Sequence, residues 1–222
     1  AESASCRAAS GGRSGATADA GAAPSMAEHK RALIAAAACR VIARKGFANA
    51  TIREIADAAD MHVPTLYQYV DSKDEILELV YRMAMDRLQV DIGEAVRGLR
   101  SSRDKIRATI DAMVTSCDRN RAMLGVLNRE LRSLPAQART RVLQHYQGFM
   151  DRIASLIEEG IARGEFRRVD PNVIANVIDA VADMRALRPF SLDRHELDDY
   201  KREVADFVDR GLLRIGRRAS RA

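Results

Sequence analysis

A chain of 222 residues with 47% apolar residues can bury a sizeable core, which excludes a globally disordered protein. Aromatics at 5%, no Trp, and abundant Ala, Leu, Arg, Glu and Ile exclude a β sandwich or barrel and favour helix. The formal net charge of +5 does not argue for nucleic acid: Arg214, Arg217, Arg218 and Arg221 nearly supply it, and residues 26–80 hold seven Lys/Arg against eight Asp/Glu.

Residues 1–25 are rich in Ala, Ser and Gly and contain no large apolar side chain, so a flexible tail is expected there. From Glu28 the apolar spacing is helical. Leu33, Ala37, Val41 and Ile42 line one face of a first helix, and Gly46 is its expected left-handed stop. Thr51 and Glu54 form a capping-box pattern that opens a short second helix, with Ile52, Ile55, Ala56 and Ala59 on its inner face. After the tight connection Asp60-Met61-His62, a third helix is expected over 63–70, burying Val63, Leu66 and Val70 with Pro64 in its first turn. Ser72 and Glu75 repeat the capping pattern at the start of a long fourth helix reaching about Val96.

Five more helices are expected near 102–118, 120–132, 136–163, 171–187 and 194–215. Asp170-Pro171 reads as an N-cap followed by a first-turn proline, and the segment it launches is apolar on most sides, hence expected to be buried all round. No strand alternation occurs, so the fold class is all-α. The expected division is a tail over 1–25, a three-helix unit over 26–73, a larger helical domain over 74–216 and a basic tail over 217–222. Cys6, Cys39 and Cys117 are odd in number and far apart, which argues against a disulfide framework. No apolar run is long enough to span a bilayer, and no secretory leader pattern is seen, so no membrane association and a cytoplasmic location are expected.

The functional signal lies at 51–70: a short helix, a sharp turn, and a second helix with one face held inward and the other free, the division a helix-turn-helix needs to enter the major groove. The run TIREIADAADMHVPTLYQYVDSKDEIL, residues 51–77, resembles the TetR family of bacterial transcriptional repressors. The Pro64-Thr65-Leu66-Tyr67 core, Tyr69 and Ser72-Lys73 together carry that resemblance. Two positions depart from the family's usual pattern. Asp60 stands where Gly is common in the turn, and Asp tolerates left-handed backbone; His62 stands where Ser is common, which predicts a weaker cap and altered operator preference.

The resemblance implies a homodimer on a double-stranded DNA operator, with a small-molecule effector bound in the larger domain. It implies that Thr65 and Tyr67 face DNA, that Tyr69 and Lys73 contact its backbone, that Arg53 reaches a base, and that His62, Val63, Pro64 and Gln68 belong to the same surface. The expected effector is elongated and mostly apolar with an anionic end, a fatty-acyl or other acyl-CoA thioester being the first candidate. Its pocket is assigned to Met83, Met113, Cys117, Met123, Leu127, Tyr146, Met150 and Met184, with Arg129 and Arg132 at the mouth. The segment NRELRSLP, residues 128–135, is similar to one in acyl-CoA-responsive members. The dimer interface is assigned to Val173, Val177, Val181, Val204, Phe207 and Leu212.

His29, His62, His145 and His195 show no metal-ligand spacing, and G-x-S-x-G, P-loop and G-x-G-x-x-G patterns do not occur. No metal, cofactor or enzymatic activity is therefore expected. The alternative, from another class, is an all-helical carrier or enzyme with an incidental helix-turn-helix.

Overall fold

The computed structural model describes residues 25–213, so the tail expected over 1–25, Ser25 apart, and the tail expected over 217–222 lie outside the described residues. The three-helix unit comprises α1 (Met26–Lys45), α2 (Ile52–Ala58) and α3 (Val63–Leu66), followed by the long α4 (Lys73–Ala95). The larger part holds α5 (Ser102–Arg119), α6 (Arg121–Glu130), α7 (Ala136–Ala162), α8 (Pro171–Leu187), the short α9 (Pro189–Leu192) and α10 (Leu197–Leu212). Among the described residues the only β pairing is an isolated bridge between Phe166 and Leu213. No helix there is long and apolar enough to cross a membrane.

Local chemistry accounts for most helix starts. Thr51 accepts from the Glu54 N–H while Glu54 reaches back to the Thr51 N–H, a complete capping box. Asp170 accepts from the N–H groups of Asn172 and Val173, as its pairing with Pro171 predicts. Ser72 caps α4 through the Glu75 N–H, but Glu75 returns to the N–H of Asp71, not to that of Ser72. Ser25, assigned to the tail, instead caps α1 in a full box with Glu28.

Two hydrophobic cores divide the molecule. The first joins α1–α4 to α6 and the start of α7, through Ile34, Val41, Ile55, Leu66, Leu77 and Val126 among others. The second joins the far end of α4 to α5, the rest of α7, α8 and α10, around Ile110, Phe149, Ile153, Ile157 and Ile178. Helix α4 feeds both, giving Ile76, Leu77, Leu79 and Val80 to one and Leu88 to the other.

Several expectations are corrected. On α1 the core takes Ile34 while Leu33 points outward. The recognition segment is a single turn, Val63–Leu66, and residues 67–70 continue as tight turns in which Gln68 N–H bonds to the Thr65 carbonyl and Tyr69 N–H to that of Leu66. Val63 is only half buried. Helix α8 is not buried all round: Val173, Val177 and Met184 are exposed along one side. Helix α10 begins at Leu197, and α9 was not foreseen.

Candidate nucleic-acid interface and interior cavity

The helix-turn-helix rests on Ile55, Ala56, Leu66 and Val70, all buried in the first core, where α3 packs on α2 and α2 on α1. Asp60 has φ 54°, the left-handed backbone the turn demands and the sole positive φ outside glycine among the described residues. Basic residues of α1 pin both helices by their backbones. Arg40 donates to the Ala58 carbonyl at the end of α2 (2.8 Å), and Arg31 donates to the Tyr69 carbonyl beyond α3 (3.4 Å). Lys45 pairs with Glu54, and this contact with the Thr51 cap holds the Glu54 carboxyl down at about 2.

Of the nine residues assigned to DNA, Arg53, His62, Pro64, Tyr67 and Gln68 are exposed. Val63, Thr65, Tyr69 and Lys73 are half buried, and Val63 and Tyr69 pack on the first core. His62 is the N-cap of α3 and makes no side-chain cap bond, as its departure from Ser predicts. Lys73 is already engaged: its Nζ donates to the Ala48 carbonyl at 3.0 Å and lies 4.5 Å from the centre of the Phe47 ring. The lysine thus fastens the α1–α2 connection to the start of α4.

A cavity of about 410 Å³ opens between the two units, within the rough 300–1,000 Å³ range of small-molecule sites. Its walls come from α1 (Ala32, Ala35, Ala36, Cys39), from α4 and α5, from α6 and α7, and from Asp179 and Asp183 on α8. Met83, Met113, Cys117, Met123, Leu127 and Tyr146 line it, as assigned. Four assigned residues do not. Met150 is buried in the second core, because its turn of α7 lies farther along the helix than Tyr146. Met184 points outward from α8. Arg129 is exposed beside Glu130, and Arg132 is exposed on the short 3-10 turn Leu131–Ser133. The single basic residue lining the cavity among those described is Arg87, whose guanidinium is exposed and paired with Asp91.

The two carboxylates of the cavity, and their bonds to Tyr146 and Cys117, were missed by sequence reasoning. Tyr146 donates to Asp179 Oδ2 at 2.6 Å, and the Cys117 thiol to Asp183 Oδ1 at 3.1 Å. Burial raises the Asp179 carboxyl, and burial with the neighbouring Asp179 charge pushes Asp183 up to about 6. Burial likewise pushes Tyr81 up to about 12 and Cys39 to about 11, and raises Tyr146 and Cys117. The available signal was two Asp four residues apart inside the most apolar helix of the chain.

The residues assigned to the dimer interface fall into two sets. Val173 and Val177 on α8 and Phe207 on α10 are exposed, Phe207 by 67%, and Val181 is half buried. Val204 and Leu212 are buried in the chain's own second core and are not available to a partner. An ion cluster centred on the buried Asp209 also escaped the sequence: Asp209, 3% exposed at its side chain, accepts from Arg103 at 2.9 Å and pairs with Arg107.

Residues 34–80 match the family model described as bacterial regulatory proteins, tetR family, and residues 99–188 match that of the tetracyclin repressor-like C-terminal domain. The chain is 26% identical over 191 residues to the HTH-type transcriptional regulator HbdR of Aromatoleum sp. (strain CIB), covering 86% of this chain and 80% of that one. A bacterial regulatory protein in the tetR family from Rhodococcus RHA1 superposes with TM-score 0.70 at 25% identity, over 84% of this chain and 97% of the other. The transcriptional regulator FadR from Bacillus subtilis, solved in complex with stearoyl-CoA, shares the fold at TM-score 0.72 and 20% identity, over 81% of this chain and 98% of that one.

Proposed function

Because the chain belongs to the TetR family of bacterial regulatory proteins, whose members are DNA-binding transcriptional regulators, we propose that it is a repressor released from a palindromic operator by a small apolar or acyl-CoA-like effector. Residues 26–73 read DNA, and residues 74–216 hold the effector and the dimer contact. The observation that carries this reading is the shared cavity. Its walls include four residues of α1, the brace of the helix-turn-helix, as well as α4 to α8. A molecule filling it changes the packing of the DNA-reading unit directly, so the ligand favours one placement of α3 over another. The stearoyl-CoA held by the Bacillus subtilis relative supports an aliphatic occupant. The mostly apolar walls support it too, with methionines that adapt to flexible chains.

Release needs a dimer, since the separation of two recognition helices must match half-sites about one helical turn apart. The exposed row Val173, Val177 and Met184 on α8 and the exposed Phe207 on α10 supply apolar surface that two copies would bury about a two-fold axis. In the operator, Arg53 and Gln68 serve as base-reading side chains and Tyr67 as a backbone contact, in line with their exposure. The matches over 34–80 and over 99–188, both to regulator families, favour this reading over the carrier or enzyme alternative.

The test is genomic footprinting with the purified chain, followed by gel shift on the recovered site. A palindromic site protected by a dimer, and released at about tens of micromolar by at least one member of a panel of acyl-CoAs, fatty acids and fatty alcohols, is the expected result. Protein that selects no site, or a complex indifferent to the whole panel, overturns the proposal.

A further inference from the structure

The cavity has one chemically distinct wall. Asp179 and Asp183 stand one turn apart on α8 and both face the interior, where all other groups but a few hydroxyl, thiol and amide side chains and Arg87 are apolar. Each carboxylate has one oxygen occupied, by the Tyr146 phenol or the Cys117 thiol. The second oxygen of each has no hydrogen-bond partner among the described residues, and neither residue is in an ion pair there. The nearest cation along α8, Arg185, is committed elsewhere: it donates to Asp118 at 2.8 Å and to the Leu192 and His195 carbonyls. The α8 wall therefore offers two acceptor oxygens and no compensating positive charge.

Both residues are half buried and these oxygens open onto the cavity; an apolar occupant that fills it strips their solvation, which is costly unless the occupant itself supplies donors. A hydroxyl gives one hydrogen bond and a protonated amine up to three, whereas a carboxylate gives none and sets a further negative charge against the pair. We infer that the cavity's occupant carries a hydrogen-bond-donating group, hydroxyl or ammonium, on an apolar body, and seats it against Asp179 and Asp183. This rests on the cavity being the effector site and specifies what the site selects. An acyl-CoA that fits it keeps its anionic end outside and presents a donor on the inserted part.

Calorimetric titration of the purified full-length chain with 1-decanol, decylamine and decanoate tests this, because the three share one chain and differ in the head. The alcohol and the amine should bind at least about tenfold more tightly than decanoate, the equivalent of one good hydrogen bond to a charged group. Asp179→Asn and Asp183→Asn should each erase much of that preference while decanoate binding holds or improves. An amine advantage over the alcohol that vanishes in these variants marks recognition of charge; equal losses for both mark hydrogen bonding alone. The ranking in the unmodified chain is decisive even if a variant fails to fold. Three equal affinities leave the cavity standing as a ligand site and overturn the inference, as does a preference for decanoate. Binding by none of the three overturns the cavity reading itself.

Discussion

Leu66 and Tyr67 are adjacent in sequence and opposite in role, so their truncation separates bracing from reading. Leu66 is fully buried and is the only buried residue of α3, a helix of one turn. Replacing it with Ala removes the side chain that seats this turn in the first core and leaves a void there; Leu→Ala at such sites costs about 2–5 kcal/mol. For a chain of this size each kcal/mol lowers the melting temperature by roughly 2–4 °C, so Leu66→Ala should melt about 4–20 °C below the parent. Operator affinity should fall with it, because α3 no longer has a fixed position. Tyr67 is 48% exposed and belongs to neither core. Tyr67→Ala should change stability by less than about 0.5 kcal/mol, yet weaken operator binding by roughly tenfold, the worth of a hydrogen bond to a charged phosphate. Far-UV circular dichroism melts and fluorescence anisotropy with a labelled operator duplex measure the two quantities. A Leu66→Ala chain as stable as the parent, or a Tyr67→Ala chain that loses stability but keeps its affinity, would refute this division of labour.

Arg53→Ala should relax preference at one base pair, by about 1–3 kcal/mol, without lowering stability; equal losses on operator and random duplex would show a phosphate contact instead. Lys73→Ala should lower stability by about 1–2 kcal/mol, summing a hydrogen bond to Ala48 and a cation–π contact with Phe47, and an unchanged denaturation midpoint would refute that anchoring. Phe207→Asp places a charge on the exposed apolar surface of α10 and should give monomers by light scattering with little operator binding; a dimer that persists removes α10 from the interface. Asp183, with its carboxyl pushed up to about 6, keeps in the folded chain a proton that the unfolded chain releases near pH 4. That group therefore makes stability fall as pH rises through about 4 to 6. The melting temperature of Asp183→Asn relative to the parent should climb across that window and level off above it, and a flat difference would contradict the burial of this charge.

Local chemistry was legible in the chain. The capping box of Thr51 with Glu54 and the cap at Asp170-Pro171 each depend on residues within a few positions of one another, so spacing alone determined them, while the left-handed turn at Asp60 was legible through the family resemblance. The helix-turn-helix was readable for the same reason, being built from neighbouring segments with one buried face. What the tertiary structure decided concerns apolar and charged residues whose neighbours are remote. Met113 and Met150 both lie in the second core, but Met113 also borders the cavity and Met150 does not. Val204 and Phe207, three residues apart on α10, part between core and surface. Asp179 and Asp183 meet Tyr146 and Cys117 only because α5, α7 and α8 converge. Periodicity establishes that a helix has an apolar face, since that follows from its own 3.6-residue turn; which neighbour covers the face, and where packing leaves a space, depends on crossings between helices distant in sequence.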